Sequence, residues 1–241
     1  MIRPILFNGD MVRAILEGRK IVTRRCVKAK SKNACGFFVT TRKSDGAFMG
    51  VYDYDENEMM YESPQAQPAY VGDILYVRET VWQKIGHYLD VDGETKGSYY
   101  DEFLYVATDE EPETGWNYSW VKRPSIHMPK EAARIFLKVT AVRVERLQEI
   151  TEEQTEAEGF QFTPPCLSKV SEDSYCDLDG PCTNKIKYCD MSAGELFGKV
   201  LWDSTIKKSE LDTYGWDANP WVWVIEFERC DKLDEFTGSN N

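Results

Sequence analysis

The stretch Glu17-Gly18-Arg19-Lys20-Ile21-Val22-Thr23-Arg24-Arg25 places a lysine, a hydroxyl and three arginines within nine residues. A free threonine hydroxyl is a poor nucleophile and needs a neighbouring base. A free lysine has a pKa of about 10.4 and is protonated at neutral pH. Burial and nearby cations can lower that pKa by several units, which would convert Lys20 into a base for Thr23. The alternative is a solvated basic loop without chemistry.

The residues before this stretch predict a short helix. Their apolar side chains have the spacing of one helix face, and they are Met11, Val12, Ile15 and Leu16. Asn8 or Asp10 can cap the first turn, since a short side-chain oxygen accepts a hydrogen bond from an unpaired N–H group. Gly18 is suited to end the helix in a left-handed conformation. Lys20 and Thr23 are therefore expected just past a helix end, in a turn or at the start of a strand.

Four segments resemble the ASCH domain family of the PUA-like superfamily, and they occur in the family's order. They are Gly18–Arg25, the turn and strand Gly72–Glu79, the acidic helix Ile150–Gly159 and the closing strand Trp221–Phe227. The stretches Pro124–Pro129 and Gly215–Trp221 are similar to the longer ASCH proteins of bacteriophages and prophages.

This resemblance implies an α+β fold, namely a PUA-like mixed β-barrel with short flanking helices and insertions, which holds RNA or a nucleobase. Some small ASCH proteins are amidohydrolases that remove the acyl group from N4-acetylcytidine. Their lysine, threonine and glutamate correspond to Lys20, Thr23 and Glu158. The chain departs from the pattern at Ile21, where a second threonine is common, and in being longer than those hydrolases.

The predicted organisation is a single domain over residues 1–230, with insertions at about 83–120 and at 163–190, and a polar tail at 231–241. Turn signals at Ser44-Asp45-Gly46 predict a hairpin between strands at 36–41 and 48–54, and residues 55–72 are predicted to be loop. A single strand is expected from Ile74 to Trp82. Residues 83–120 are expected to be irregular, apart from one strand at 103–107.

Further elements are predicted in the second half of the chain. Residues 134–147 alternate closely enough for a long strand. Thr151 and Gln154 form a capping box for the helix that ends near Glu158. A helix from Ser192 to about Ile206, a turn at 215–220 and an aromatic strand at 220–229 complete the pattern.

Several polar residues are predicted to bind substrate. They are Arg19, Arg24, Arg25, Arg78, Glu79 and His127. Trp116, Tyr118 and Trp120 follow in a segment expected to be a loop, where aromatic rings can stack on bases or anchor the packing. The predicted partner is a nucleoside or a short single-stranded RNA, and no protein partner is assigned.

The charge distribution agrees with a local nucleic-acid site. The chain has a net charge of −12, but residues 1–45 hold 11 Lys/Arg and three Asp/Glu. One basic region on an acidic body suits a nucleoside or a short single strand better than a long duplex. Alternatively, the acidic surplus only maintains solubility. No apolar stretch is long enough to cross a bilayer, and residues 1–7 are too short for a signal peptide, so a cytoplasmic location is expected.

The chain has seven cysteines, which is an odd number. Because a cytoplasmic location is expected, these cysteines are not expected to form disulfides. Four of them are close together in sequence, namely Cys166, Cys176, Cys182 and Cys189. A structural zinc would explain how this segment holds its shape, although the Cys-x2-Cys spacing of zinc ribbons is absent. The alternatives are a surface insertion with reduced thiols, or a site that uses Cys26 or Cys35. No cofactor is expected to be required for catalysis.

Three functions follow from the sequence. The first is an amidohydrolase acting on an N4-acylated cytidine-type nucleoside. The second is a module of a phage that binds RNA or a modified base without catalysis. The third is a phage protein that acts on a host protein through its Cys-rich insertion.

Overall fold

The structure is a computed structural model that describes residues 1–30, 33–46, 48–57, 64–89, 91, 94–161 and 191–232. The predicted polar tail and the four clustered cysteines therefore lie largely or wholly outside the described residues. Ten strands are found in the described part: β1 Ile2–Leu6, β2 Val22–Cys26, β3 Gly36–Thr41, β4 Phe48–Tyr54, β5 Ile74–Arg78, β6 Val81–Leu89, β7 Thr95–Tyr105, β8 Tyr118–Arg123, β9 Phe136–Arg146 and β10 Trp221–Cys230.

The helices are short, and the fold is mixed α+β, as predicted. The α-helices of the described residues are α1 Gly9–Leu16, α2 Glu152–Ala157, α3 Ala193–Leu196, α4 Asp203–Thr205 and α5 Leu211–Tyr214. A π-helical turn at Phe197–Trp202 joins α3 to α4. Single 3₁₀ turns occur at Ser125–His127, Lys130–Ala132, Leu147–Glu149, Lys208–Glu210 and Trp216–Ala218. Among these helices none has the length and apolar character needed to cross a membrane.

The chain divides into two compact units. The first contains Met1–Ile21, Ala69–Val142 and the described residues from Ile225 onward. The second contains the described residues of Val22–Pro68 and of Arg143–Val224. The prediction of a single domain with two insertions is not decided by this division and stays a prediction.

In the first unit, β1 pairs in parallel with β5, and β5 pairs antiparallel with β9. Helix α1 packs its apolar face into the core of this unit, where Val12 and Ile15 are almost fully buried. A second sheet in this unit has the strand order β7-β6-β8, with antiparallel neighbours.

In the second unit, β3 and β4 form the predicted hairpin, and Gly46 has the positive φ of 70° that its turn requires. The core of this unit gathers Val22 with apolar residues near α2, the π-helical turn and β10: Leu147, Ile150, Phe197, Trp202, Trp216, Val222 and Val224. The predicted helix after Ser192 is confirmed, with a capping box between Ser192 and Glu195.

Three fold predictions are wrong. The largest sheet has the strand order β1-β5-β9-β10-β2, with β1 and β2 at its ends, so the described strands form open sheets and no closed barrel. Residues 83–120 are not mainly irregular, because β6, β7 and part of β8 occupy much of this range. In addition, the expected strand from Ile74 to Trp82 is interrupted at Glu79 and Thr80, where β5 ends before β6 begins.

Candidate functional site

The end of α1 determines where Lys20 lies. Asn8 caps the helix, and its side chain accepts a hydrogen bond from the Met11 N–H at 2.9 Å. Gly18 has a φ of 75°, which confirms the predicted left-handed helix end. The N–H groups of Arg19 and Lys20 then both donate to the carbonyl of Ala14, at 2.9 and 3.0 Å. The main chain is therefore folded back on the helix immediately before the candidate base.

Lys20 is buried in the first unit, with 2% of its surface exposed. Its Nζ atom lies 5.6 Å from the centre of the Phe7 ring, which is within the range of a cation–π contact. Burying an ammonium group is costly unless partners compensate, so a buried lysine is seldom incidental. This burial contradicts the alternative of a solvated basic loop.

Strand β2 begins the second unit and carries Thr23 and Arg24. Thr23 is 1% exposed and Arg24 is 2% exposed. Because side chains alternate along a strand, Thr23 and Arg24 point to opposite faces. Val22 and Cys26, which share the face of Arg24, contact the apolar core of this unit.

Arg24 holds together a buried polar cluster within the second unit. Its Nη2 atom donates to Glu145 Oε1 at 2.6 Å and to Gln154 Oε1 at 2.7 Å. Its Nη1 atom donates to Glu158 Oε1 at 3.2 Å. The Arg24 side chain has no exposed surface, and those of Glu145 and Glu158 are 12% and 4% exposed. We call Arg24, Glu145, Gln154 and Glu158 the Arg24 cluster.

Helix α2 positions Glu158 for this cluster. The predicted capping box is confirmed, since the Thr151 side chain accepts from Gln154 N–H and the Gln154 side chain accepts from Thr151 N–H. Glu158 is the C-cap residue, and Gly159 follows with a φ of 77°. The helix is only six residues long. Gln154 of its N-terminal capping box and Glu158 at its C-terminal end can therefore both contact the Arg24 guanidinium.

The neighbouring arginines have different surroundings. Arg19 is partly exposed and donates from Nε to Glu17 at 2.7 Å. Arg25 is half-buried, and its Nη1 atom donates to the Arg24 carbonyl at 3.4 Å. Burial lowers the pKa of the Arg25 guanidinium, while the charges of Glu158 and Cys26 act in the opposite direction. The Arg24 guanidinium differs in donating to three side chains that come from β9 and from the segment of α2, namely Glu145, Gln154 and Glu158.

The remaining predicted binding residues lie in the first unit and contact protein groups there. Arg78 donates to the carbonyls of Ile126 and Met128, at 2.5 Å and 2.7 Å. Glu79 is 2% exposed and accepts two hydrogen bonds from Arg134, at 2.9 and 3.0 Å. His127 is exposed in a 3₁₀ turn. These hydrogen bonds give Arg78 and Glu79 a structural role.

The structure thus brings Glu158 to Arg24, whereas Lys20 belongs to the first unit and Thr23 to the second. Sequence reasoning missed Glu145 and Gln154 as members of the cluster. A signal for Glu145 exists, because Arg143 and Glu145 interrupt the otherwise apolar alternation of β9, and Arg143 Nε donates to Glu145 at 3.1 Å. No sequence signal connects either residue to Arg24.

The zinc prediction falls on residues outside the described part of the chain. Where the structure does describe the chain, no group of three or more His, Cys, Asp or Glu side chains is arranged for a metal. Cys26 is half-buried and Cys35 is exposed. Burial raises the pKa of the Cys26 thiol to about 11, although Lys28 lowers it in part. A thiol that resists deprotonation is a poor metal ligand.

The two thiols are expected to differ in their reaction with iodoacetamide. At pH 8, Cys35 should be alkylated well before Cys26, because the thiolate is the nucleophile and Cys26 holds its proton up to about pH 11. Peptide mapping by mass spectrometry after timed quenching measures both rates in one sample. Faster labelling of Cys26 than of Cys35 in the folded protein would contradict this assignment.

A cleft of about 330 Å³ also lies in the second unit, and its lining includes none of the predicted catalytic or substrate-binding residues. It is lined by Asp203, Leu211, Asp212, Gly215, Trp216, Asp217 and Ala218. The Asp203 carboxylate accepts a hydrogen bond from the Trp216 N–H at 2.7 Å, and Asp217 pairs with Lys199. These acids therefore serve the local packing of the cleft wall.

No protein-family model matches the chain, and no match is found among curated proteins or among solved structures.

Proposed function

We propose that the chain is a nucleoside-recognising amidohydrolase of the ASCH type, with a PUA-like fold, that removes an acyl group from N4 of a cytidine-type nucleoside. The observation that supports this most is the burial of all three residues that match the catalytic set. Lys20, Thr23 and Glu158 are 2%, 1% and 5% exposed. Burying a polar side chain costs free energy. The burial of all three residues of the catalytic set therefore favours a function that requires them.

The proposed reaction has two steps. Lys20, as the free amine, accepts the proton of the Thr23 hydroxyl while Oγ1 attacks the acyl carbon. The bond from this carbon to N4 breaks, and N4 takes up the proton that Lys20 accepted, which releases the nucleoside. A water molecule then hydrolyses the threonyl ester and frees the carboxylic acid and the Thr23 hydroxyl.

The chain itself keeps the base and the nucleophile close. Lys20 and Thr23 are three residues apart, so their Cα atoms are at most about 11 Å apart in any conformation. In this proposal Glu158 orients the lysine or the substrate amine. The Arg24 guanidinium pairs with that carboxylate, with 3.2 Å between Nη1 and Oε1, and so fixes its position.

A second candidate function is binding of RNA or a modified base without catalysis. The Arg24 cluster favours it, since the ion pair with Arg24 is by itself a structural reason for the burial of Glu158. The salt dependence of binding separates two modes of recognition. A binder of phosphates loses affinity as the salt concentration rises, whereas a pocket for an uncharged nucleoside barely responds.

The test is incubation of the purified protein with N4-acetylcytidine, with cytidine and acetate quantified by chromatography. Thr23→Val keeps the side-chain shape but removes the hydroxyl, and we expect kcat/KM to fall at least about 100-fold. Lys20→Ala should have a similar effect, because Thr23 then lacks its base. Thr155→Val is the matched control, since Thr155 is also a buried threonine of the second unit, at 3% exposure.

Circular dichroism and thermal unfolding of each variant establish that it is folded. The proposal is abandoned if the wild-type protein releases no cytidine, or if Thr23→Val and Lys20→Ala retain full turnover. Nucleoside binding without turnover would instead establish the second candidate.

A further inference from the structure

The three-stranded sheet of the first unit has one face that is rich in aromatic and lysine side chains. Residues directly opposite each other in an antiparallel pair share a face. Trp82 of β6 is opposite Lys122 of β8, and Lys84 is opposite Trp120. Gly86 is opposite Tyr118, so the side chain of Tyr118 joins this face.

Strand β7 adds Tyr100 to the same face. A Cβ atom on Gly86 would lie 2.4 Å from the Tyr100 hydroxyl, which shows that the tyrosine ring covers this glycine. Tyr100 is nonetheless 50% exposed. We define the aromatic face as the side chains of Trp82, Lys84, Tyr100, Tyr118, Trp120 and Lys122. All six side chains are at least partly exposed, including the large aromatic residues Trp82 of β6 and Tyr118 and Trp120 of β8.

The lysines of this face lie against its rings. Lys84 Nζ is 4.8 Å from the centre of the Tyr118 ring and 5.7 Å from that of Trp120. Lys122 Nζ is 5.2 Å from the centre of the Trp82 ring. One carboxylate, Glu102, accepts a hydrogen bond from Lys84 at 2.8 Å. Two positive charges thus lie beside partly exposed aromatic rings, on a chain whose net charge is −12.

This combination points to a particular class of ligand. The cores of protein–protein interfaces are depleted of lysine, whereas surfaces that bind single-stranded nucleic acid combine cations with rings on which bases stack. A duplex offers no unstacked base faces to such rings. The charge of a phosphate backbone also complements the lysines that lie over Tyr118, Trp120 and Trp82.

We propose that the aromatic face binds single-stranded nucleic acid, with bases stacked on its rings and with Lys84 and Lys122 on the phosphates. On binding, Lys84 exchanges its contact with Glu102 for a phosphate oxygen. This function goes beyond the proposed deacylation and does not use Lys20, Thr23 or Glu158. It is contained within the first unit.

The direct experiment is fluorescence anisotropy with end-labelled ten-nucleotide oligouridylate, oligodeoxyuridylate and an RNA duplex of equal length, at several salt concentrations. Both single strands should bind and the duplex should bind more weakly. Tighter binding of the RNA strand would assign a contact to the 2′-hydroxyl, and equal affinities would assign the binding to stacking and phosphate contacts alone.

Variants of the full chain test the assignment to this face. Trp120→Ala should weaken binding of the single strands about tenfold, because a stacking ring is lost. Lys122→Ala should reduce the slope of log K against log salt concentration by about 0.7, since one phosphate contact is lost. Trp fluorescence of the wild-type protein should be quenched on saturation with either strand.

Tyr99→Ala is the matched control on the other face of the same sheet. Tyr99 is opposite Ile85 and is 57% exposed. The centre of its ring lies 4.6 Å from the Arg123 guanidinium carbon, so it is likewise an aromatic ring beside a cation, but on the other face. This variant should bind as the wild type does. The proposal is overturned by absence of binding at about 100 µM protein in low salt, by equal loss in Tyr99→Ala and Trp120→Ala, or by an equal affinity for the duplex.

Discussion

Arg24→Met should lower the free energy of unfolding by about 3–5 kcal/mol, measured by urea denaturation. Methionine fills a similar volume but leaves two buried carboxylates, Glu145 and Glu158, without their common cation. It also removes the donor to Gln154 Oε1. The cost arises because both carboxylates stay in place while the guanidinium that offsets their desolvation is lost.

Two further variants make this prediction specific. Arg42→Met removes an exposed pair with Asp45, in which the side chains are 58% and 49% exposed, and should change stability by less than about 1 kcal/mol. Adding Glu158→Gln to Arg24→Met should recover part of the loss, since one of the two carboxylates that lost the guanidinium is then replaced by a neutral amide. Equal effects of Arg24→Met and Arg42→Met would show that the Arg24 cluster does not stabilise the fold.

Gly198→Ala is the second large effect that we expect, at about 1–3 kcal/mol of destabilisation. A Cβ atom at this position would lie 2.1 Å from Cδ2 and from Cε3 of the Trp216 ring. Trp216 is 6% exposed in the core of the second unit, and its N–H donates to Asp203, so the ring cannot easily withdraw. The thermal midpoint should therefore fall.

Gly194→Ala, one turn earlier, is the control for helix propensity. A Cβ atom there would meet Ile150 at 3.4 Å and the Trp216 ring at 3.6 Å, both ordinary contacts. Replacing glycine by alanine in a helix is intrinsically favourable by up to about 1 kcal/mol, so Gly194→Ala should be neutral or stabilising. A thermal midpoint for Gly198→Ala at or above that of Gly194→Ala would show that the Trp216 ring is not closely packed.

The local elements could be predicted because their signals lie within a few residues. The Asn8 and Thr151 caps and the left-handed Gly18 each depend on neighbours in sequence, and the structure confirms them. The apolar alternation of β9 likewise predicts a long strand correctly. Such patterns indicate which residues face a core, but they do not indicate which distant residues each of them contacts.

The Arg24 cluster could not be predicted for that reason. Arg24 is separated from Glu145 by 121 residues and from Glu158 by 134. The sequence indicates a basic stretch and an acidic helix, and either could equally face solvent. Only the tertiary structure, which brings β2, β9 and the end of α2 together, places these charges at hydrogen-bond distance.

Most of strand β7 could not be predicted, for a different reason, since the strand expected at 103–107 overlaps only its last three residues. Most of its residues are exposed, so it lacks the apolar alternation that marks a strand with one buried face. Its pairing with β6 also shifts in register between Gln83 and Ile85. The π-helical turn at Phe197–Trp202 has no recognised sequence signal either, and its position follows from the packing of Gly198 on Trp216.

Strand β10 has a consequence for how the protein is made on the ribosome. Trp221–Val224 belongs to the second unit, and the described residues from Ile225 onward belong to the first. In the sheet, β10 lies between β9 and β2. These strands end at Arg146 and at Cys26, so both are synthesised well before β10, which begins at Trp221. A nascent chain that has not yet released β10 therefore has neither unit complete, so final folding should follow synthesis of this strand.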